Sequence, residues 1–144
     1  MEDKLLRIID ANLNRTREGL RVCEDIARFA LHNTSAAKFL KTIRHSATDL
    51  VLKSNSISLA ALLSKRDTAG DKTKFIDLPI IHGSDISDIF MSNIERVKES
   101  LRVLEECFKL IDNKISYGYR KLRFRTYDIE KLVVRKTGLI SCNR

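Results

Sequence analysis

The chain has 144 residues, of which 43% are hydrophobic and 32% are charged, and it contains five glycines and one proline. These proportions are typical of a helical globular protein and exclude an intrinsically disordered chain. With 27 basic and 19 acidic residues the net charge is +8, so the molecule attracts anions such as nucleotides, nucleic acids and acidic lipids. Charge alone does not choose among these partners. We predict one all-α domain over residues 1–144.

The cysteine pattern and the hydropathy bound the cellular location. Cys23, Cys107 and Cys142 are an odd number without Cys-x-x-Cys spacing, so neither a zinc knuckle nor a disulfide scaffold is indicated. Cys23 and Cys107 lie within helical apolar patterns and are expected in the core. No apolar run approaches the roughly 20 residues that a membrane helix needs, and the N-terminus has no signal-peptide pattern. We predict a cytoplasmic protein with no membrane partner.

The first predicted element is a long helix over about residues 3–31. Apolar residues recur there at intervals of three and four, and proline is absent. The break HNTS follows, and Thr34 or Ser35 is expected to cap a second helix that ends near residue 53. These two helices are predicted to form an αα-hairpin.

Residues 54–85 form an irregular segment with a short apolar piece at residues 58–63. Connections of about thirty residues are uncommon in compact domains unless they are functional or disordered. The segment contains RDTAGD at residues 66–71, which combines a guanidinium, a hydroxyl, a glycine and two carboxylates. Such groups hold phosphate oxygens and hydrated Mg²⁺, although polar turns of this composition are also common. We predict a long functional loop.

A third helix is predicted from Asp85 or Ser87 to Ile111, and a fourth over about residues 120–136. The stretch DNKISYGYR is expected to separate them, and the tail GLISCNR is expected to fray. The predicted architecture is therefore a helical bundle of two αα-hairpins with the long functional loop between them.

An internal repeat relates the two hairpins, over about residues 7–53 and 88–136. NLNRTREGLRVCE, which begins at Asn12, matches NIERVKESLRVLE, which begins at Asn93, at an offset of 81 residues. Seven of the thirteen positions are identical, and most of the identities are polar. Arg44 and Arg125 stand at the same offset in the following helices. Two equivalent hairpins are expected to stack around a pseudo-twofold axis, with both motif helices in one four-helix core.

Polar residues on an apolar helix face need an explanation. At about 100° per residue, Asn12, Arg15 and Gly19 share a face with apolar side chains. A buried guanidinium must be paired, and glycine one turn later lets a ligand or another backbone approach closely. For Glu18 the alternative is an ordinary helical salt bridge with Arg15 or Arg21. Both interpretations stay open.

Four segments occur in a fixed order in this chain: RIIDANLNRTREGLRVCEDIARF, RDTAGD, SNIERVKESLRVLEECFKL and KLRFRTYDIE. Together they resemble the monofunctional hydroxymethylpyrimidine phosphate kinase family, which also occurs fused ahead of thiamine-phosphate synthase. The resemblance spans about residues 7–132. It implies a kinase that uses ATP and Mg²⁺ to convert hydroxymethylpyrimidine phosphate into the diphosphate for thiamine biosynthesis. The G-x-x-x-x-G-K-[ST] and G-x-G-x-x-G motifs are absent, so a P-loop fold is excluded.

The implied reaction sets the chemistry that the site residues must perform. The acceptor is already an anionic phosphate, so catalysis depends on positioning two polyanions and neutralising their repulsion. As catalytic residues we predict Arg15, Arg66, Asp67, Asp71 and Arg96, with Asp71 also binding Mg²⁺. As substrate-binding residues we predict Asn12, Glu18, Thr68, Asn93, Glu99 and Arg125.

Two other functions are compatible with the sequence. A non-catalytic regulatory module that binds thiamine-phosphate synthase would explain polar helices without a nucleotide motif. A nucleic-acid-binding bundle would explain the basic charge and the run YRKLRFR, but 6% aromatic residues and interleaved glutamates argue against a nucleic-acid partner. The sequence leaves open whether the chain forms a homodimer, where adenine binds and whether the unphosphorylated pyrimidine is accepted.

Overall fold

The computed structural model describes residues 2–75 and 85–137. Within these ranges the chain forms five α-helices, one π-helical turn and no β-strand. The elements are α1 (Asp3–Asp25), the π-helical turn Ile26–Ala30 that extends it, α2 (Thr34–Leu52), α3 (Leu59–Lys65), α4 (Ile86–Phe108) and α5 (Asn113–Thr137). The prediction of an all-α fold is confirmed. None of these helices is long and apolar enough to span a membrane.

The start of α2 differs from the prediction by one residue. Asn33 provides the cap, because its Oδ1 accepts a hydrogen bond from the Ala36 amide at 3.0 Å. The prediction of a cap at Thr34 or Ser35 was therefore wrong. His32, just before the cap, has φ 51°, a left-handed backbone conformation that ends the preceding helix and turns the chain into α2.

Two segments that were predicted to be irregular contain helix. Ser58 caps α3 through a 3.1 Å bond from the Ala61 amide, so part of the insert is ordered. The helix α5 begins at Asn113, seven residues before the predicted start, because Asp112 Oδ1 accepts from the Lys114 amide at 2.9 Å and caps it. The glycine and polar residues of DNKISYGYR thus lie within a helix. Residues 76–84 and the GLISCNR tail lie outside the described residues.

The four long helices form one bundle as two αα-hairpins. α1 packs on α2 and α4, while α5 packs on α4 and α2, and α3 lies on α1. Its fully buried side chains include Ile9, Leu20, Leu101, Phe108 and Tyr119. The predicted bundle of two hairpins is therefore confirmed.

Both cysteines within the described ranges lie in the core as free thiols. Cys23 and Cys107 are buried, and burial raises the pKa of Cys23 to about 12. These residues pack as apolar groups and stay protonated at neutral pH, as expected. Cys142 lies outside the described residues.

The crossing of α1 and α4 reveals the symmetry of the repeat. The Thr16 and Ser100 hydroxyls lie 2.7 Å apart, and a Cβ on Gly19 would stand 2.8 Å from Val97 Cγ2. At the offset of 81, Thr16 corresponds to Val97 and Gly19 to Ser100, so the repeat exchanges these two contacts. The predicted pseudo-twofold axis passes through this crossing. Gly19 therefore serves the approach of another helix and not the approach of a ligand.

A buried glutamate at the same repeat position stabilises each hairpin. Glu24 on α1 pairs with Arg44 on α2 at 3.0 Å. Glu105 on α4 is 1% exposed and pairs with Arg123 at 2.9 Å and with Arg120, both on α5. The partner of Glu105 is not Arg125, the residue at the offset of 81 from Arg44, because the two second helices differ in register.

Candidate functional site

The first half of α1 and the loop after α3 enclose a cleft of about 830 Å³. Five cationic side chains line it: Lys4, Arg7, Arg15, Arg66 and Lys72. Four carboxylates line it as well: Asp10, Glu18, Asp67 and Asp71. Asn12, Thr68 and Gly70 are also among the residues that line it. The RDTAGD loop and the first copy of the repeat therefore meet in one place, although more than forty residues separate them in sequence.

Arg66 connects the loop to α1 through a two-point ion pair. Its Nε and Nη2 donate to the two carboxylate oxygens of Asp10, each at 2.8 Å. This hydrogen bonding, together with the negative charge of Asp10, raises the pKa of Arg66. Asn14 also donates to the Asp10 carboxylate, at 3.3 Å. A second and more exposed pair, Lys65 with Asp3 at 3.3 Å, holds the end of α3 against the same helix.

The two loop carboxylates each use one oxygen to shape the turn. Asp67 Oδ1 accepts from the Gly70 amide at 2.8 Å, and Asp71 Oδ1 accepts from both the amide and the hydroxyl of Thr73 at 3.0 Å. The Thr73 bonds lower the pKa of Asp71, and the charges of Arg15 and Lys74 add to the effect. Both Oδ2 atoms make no hydrogen bond within residues 2–75 and 85–137. Asp71 is thus ionised at neutral pH with one oxygen available.

The described residues contain no cluster of three or more Asp, Glu, His or Cys side chains that could hold a metal ion. This observation does not exclude the predicted Mg²⁺ at Asp71. Mg²⁺ commonly binds one or two carboxylates and completes its octahedron with water and substrate phosphates. Asp67 and Asp71 provide two such carboxylates on one loop.

On α1, the polar side chain of Asn12 forms its hydrogen bonds with residues of the same helix. Asn12 is 5% exposed, and its Nδ2 donates to the Ile8 carbonyl at 2.9 Å. Its Oδ1 accepts from Arg15 Nη1 at 3.5 Å, so Asn12 orients an exposed Arg15 over the cleft. Glu18 is exposed and has no salt bridge to a described residue, and Arg21 pairs instead with Asp25 at 3.4 Å.

The second copy of the motif does not reach this cleft. Because α1 and α4 run antiparallel, Asn93 lies level with Gly19, two turns from Asn12 and about 10 Å along the bundle. Arg96 and Glu99 follow on α4 and are exposed. Within the described part of the chain, Asn93, Arg96 and Glu99 do not line the cleft. The predicted roles of Asn93, Arg96 and Glu99 stay predictions without structural support.

Arg125, the remaining predicted substrate-binding residue, lies elsewhere. It lines an apolar groove between α2 and α5 together with Phe39, Ile43, Ile129 and Leu132. The cleft thus brings together seven of the predicted site residues: Asn12, Arg15, Glu18, Arg66, Asp67, Thr68 and Asp71. The second copy and Arg125 are not among its lining residues.

Sequence reasoning missed several residues of the cleft, of which Asp10 is the most informative. It lies one turn from Leu6 and from Leu13, both buried, so its position already requires a partner. The identity of that partner, 56 residues away, could not be read from periodicity. Lys4 and Lys72 lie outside the four motif segments, and Arg7 begins the first of them but was not singled out.

The sequence profile of the ThiD2 family matches residues 7–132, which include the repeat, the loop and most of α5. The chain belongs to the ThiD2 family. Curated proteins named thiamine-phosphate synthase are relatives of this ThiD2 family member. That of Rhodopirellula baltica is 33% identical over 142 residues, which cover 97% of this chain and 37% of the relative. That of Synechocystis is 37% identical over 127 residues, covering 88% of this chain and 35% of the relative.

The chain therefore spans about a third of the length of these curated relatives. A Nostoc relative of the same name shows the same relation, with 36% identity over 131 residues that cover 90% of this chain and 35% of the relative. No solved structure matches the chain.

Proposed function

We propose that this ThiD2 family member is an ATP-dependent kinase that phosphorylates hydroxymethylpyrimidine phosphate to the diphosphate used in thiamine biosynthesis. The observation that carries the proposal is the cleft in which the repeated helix and the RDTAGD loop place arginines and carboxylates side by side. The relatives named thiamine-phosphate synthase support the pathway, because that enzyme acts on thiamine precursors by name. The phosphorylation step rests on the resemblance of the motifs and on this geometry.

The proposed reaction needs charge neutralisation more than proton transfer. An oxygen of the acceptor phosphate bonds to the γ-phosphorus of ATP, and the bond between that phosphorus and the leaving ADP oxygen breaks. The acceptor oxygen is already anionic, so no strong base is required, but two polyanions must approach each other. Arg15, Arg66 and Lys72 line the cleft and would bind the phosphates through charge-assisted hydrogen bonds.

Asp67 and Asp71 would hold a hydrated Mg²⁺ against the nucleotide phosphates. When bound, the ion neutralises negative charge on the transferred group. The hydrogen bonds from Thr73, which lower the pKa of Asp71, keep that carboxylate ionised for this task at neutral pH. Thr68 and Glu18, which also line the cleft, are proposed to contact the pyrimidine substrate.

The test is ADP release by the purified chain with ATP and Mg²⁺. Three reactions are compared: hydroxymethylpyrimidine phosphate, the unphosphorylated hydroxymethylpyrimidine, and no acceptor. The product mass identifies the diphosphate. We expect ADP and diphosphate with the phosphorylated acceptor at rates well above the reaction without acceptor. A folded chain that releases no ADP in any of the three reactions would contradict the proposal.

A second candidate function is a non-catalytic partner module of thiamine-phosphate synthase. The specific observation in its favour is that the ThiD2 segment covers only 35–37% of relatives with that name. A partner module predicts direct binding to a thiamine-phosphate synthase without ADP release. The same purified chain serves for both measurements, so the two functions can be separated in one preparation.

A further inference from the structure

The Asp10 and Arg66 pair has a geometry that leaves part of the guanidinium unused. Arg66 carries five N–H donors in a planar fork. Two of them, on Nε and Nη2, are directed at the Asp10 carboxylate. Nη1 makes no hydrogen bond with any described residue, and the Arg66 side chain is 42% exposed while it lines the cleft. Three of its N–H groups therefore make no bond to a described residue.

Asp10 is placed to hold this arrangement rigidly. It is 6% exposed, and Asn14 donates to both its carboxylate and its backbone carbonyl, at 3.3 and 3.0 Å. A buried carboxylate that makes three side-chain hydrogen bonds has little freedom to rotate. The two-point ion pair with this carboxylate accordingly restricts the orientation of the Arg66 guanidinium.

Fastening the loop to α1 does not by itself require this pair. The exposed pair of Lys65 with Asp3 already joins the end of α3 to the first turn of α1. What the Asp10 pair adds is a fixed orientation of one cation that lines the same cleft as Arg15 and Lys72.

We propose that Asp10 is a positioning residue, which orients Arg66 so that its Nη1 edge binds a phosphate group of the substrates. This inference rests on the proposed function. Asp10 does not touch substrate in this account, and its whole effect passes through Arg66. A residue that acts only through another has a definite signature in a double-mutant cycle.

The test measures kcat and KM for ATP and for hydroxymethylpyrimidine phosphate in four proteins: wild type, D10N, R66A and D10N/R66A. R66A is expected to lose on the order of 100-fold in kcat/KM, as for removal of one preorganised donor. D10N removes one of the two acceptor oxygens and the negative charge, so we expect kcat/KM to fall roughly tenfold or more. Urea unfolding checks that each variant is fully folded under the assay conditions. In the R66A background D10N should change kcat/KM less than about twofold.

Asp3→Asn is the matched control, because it weakens the other ion pair between the same two segments without touching the cleft lining. We expect its kcat/KM to stay within about twofold of wild type. Equal and additive losses from D10N in both backgrounds, or a loss in Asp3→Asn as large as in D10N, would overturn the inference and assign Asp10 to folding alone.

Failure of the proposed function would look different. If wild type releases no ADP, the same four proteins are titrated by calorimetry with ATP and, separately, with hydroxymethylpyrimidine phosphate. Weaker binding of either ligand in D10N and R66A, with no further weakening in the double variant, would support the positioning role independently of turnover. Binding of both ligands that is equal in all four proteins would overturn it.

Discussion

The hydroxyl groups of Thr16 and Ser100 lie 2.7 Å apart at the point where α1 crosses α4. Ser100 is the repeat counterpart of Gly19, and the contact that corresponds to Thr16 with Ser100 is that of Val97 with Gly19. The duplicated helices thus pack on each other around their pseudo-twofold axis, and they run antiparallel. As a consequence, identical polar residues of the two copies point to different places, and only the first copy meets the RDTAGD loop.

Gly19→Ala is expected to destabilise the chain, although alanine favours helix. The added Cβ would lie 2.8 Å from Val97 Cγ2 and 3.2 Å from the Asn93 carbonyl, and overpacking of this kind costs about 1–3 kcal/mol. The helix-propensity gain of roughly 1 kcal/mol offsets only part of that. Urea unfolding measures the difference. In a Val97→Ala background the same substitution should lose most of its cost, and an unchanged cost there would contradict the assignment of the clash to the Val97 side chain.

Glu105→Gln is expected to lower the free energy of unfolding at pH 7 by roughly 2 kcal/mol, less than for a fully buried pair because Arg120 is half exposed. Burial opposes ionisation of Glu105, but the hydrogen bonds from Arg120 and Arg123 outweigh it and lower its pKa from 4.5. A carboxylate whose pKa is lowered by folding stabilises the folded state at pH values above its pKa in the unfolded chain. That stabilisation is lost as the pH falls through its pKa in the folded chain. The difference from wild type should therefore shrink below about pH 4.5.

Urea unfolding at pH 7 and at pH 3.5 checks this prediction. Glu106→Gln is the control, because Glu106 occupies the next position on α4 but is exposed in its pairs with Arg102 and Lys109. Its urea midpoint should stay close to that of wild type. A Glu105→Gln difference that is independent of pH would contradict the assigned role of the ionised carboxylate.

Asp71→Asn is expected to abolish most phosphoryl transfer while the melting temperature stays within a few degrees. Asparagine retains the Oδ1 acceptor for the Thr73 amide, so the turn is preserved, but the negative charge is lost. We expect kcat to fall on the order of 100-fold and the Mg²⁺ concentration for half-maximal rate to rise. Thr73→Val keeps the carboxylate and should retain far more activity. A variant with a much lower melting temperature, whose folded form keeps the specific activity of wild type, would assign Asp71 to structure.

Much of the fold followed from the sequence because the repeat and the 3.6-residue periodicity are local signals. The long helices and the pairing of hairpins were predictable for this reason. The early start of α5 was not, since Asp112 caps a stretch whose Gly118 suggests a turn. The reason for glycine at this position is packing, because a Cβ on residue 118 would lie within 3.1 Å of two Leu50 side-chain atoms.

The candidate site was predictable only in part. The polar composition of RDTAGD and of the first motif copy indicated a site in the sequence, and the two segments do meet in the cleft. The antiparallel crossing, which separates Asn12 from Asn93, is a tertiary property that a repeat alone does not specify. Asp10 could be suspected from its buried position, but its bond to Arg66 depends on how the loop returns to α1.

The most direct test of the account compares Arg15→Ala with Arg96→Ala. The two arginines occupy the same repeat position, yet only Arg15 lines the cleft. With ATP, Mg²⁺ and hydroxymethylpyrimidine phosphate, we predict that kcat/KM falls on the order of 100-fold in Arg15→Ala and stays within about twofold of wild type in Arg96→Ala. Equal losses in the two variants, or full activity in Arg15→Ala, would contradict the assignment of phosphoryl transfer to the cleft between α1 and the RDTAGD loop.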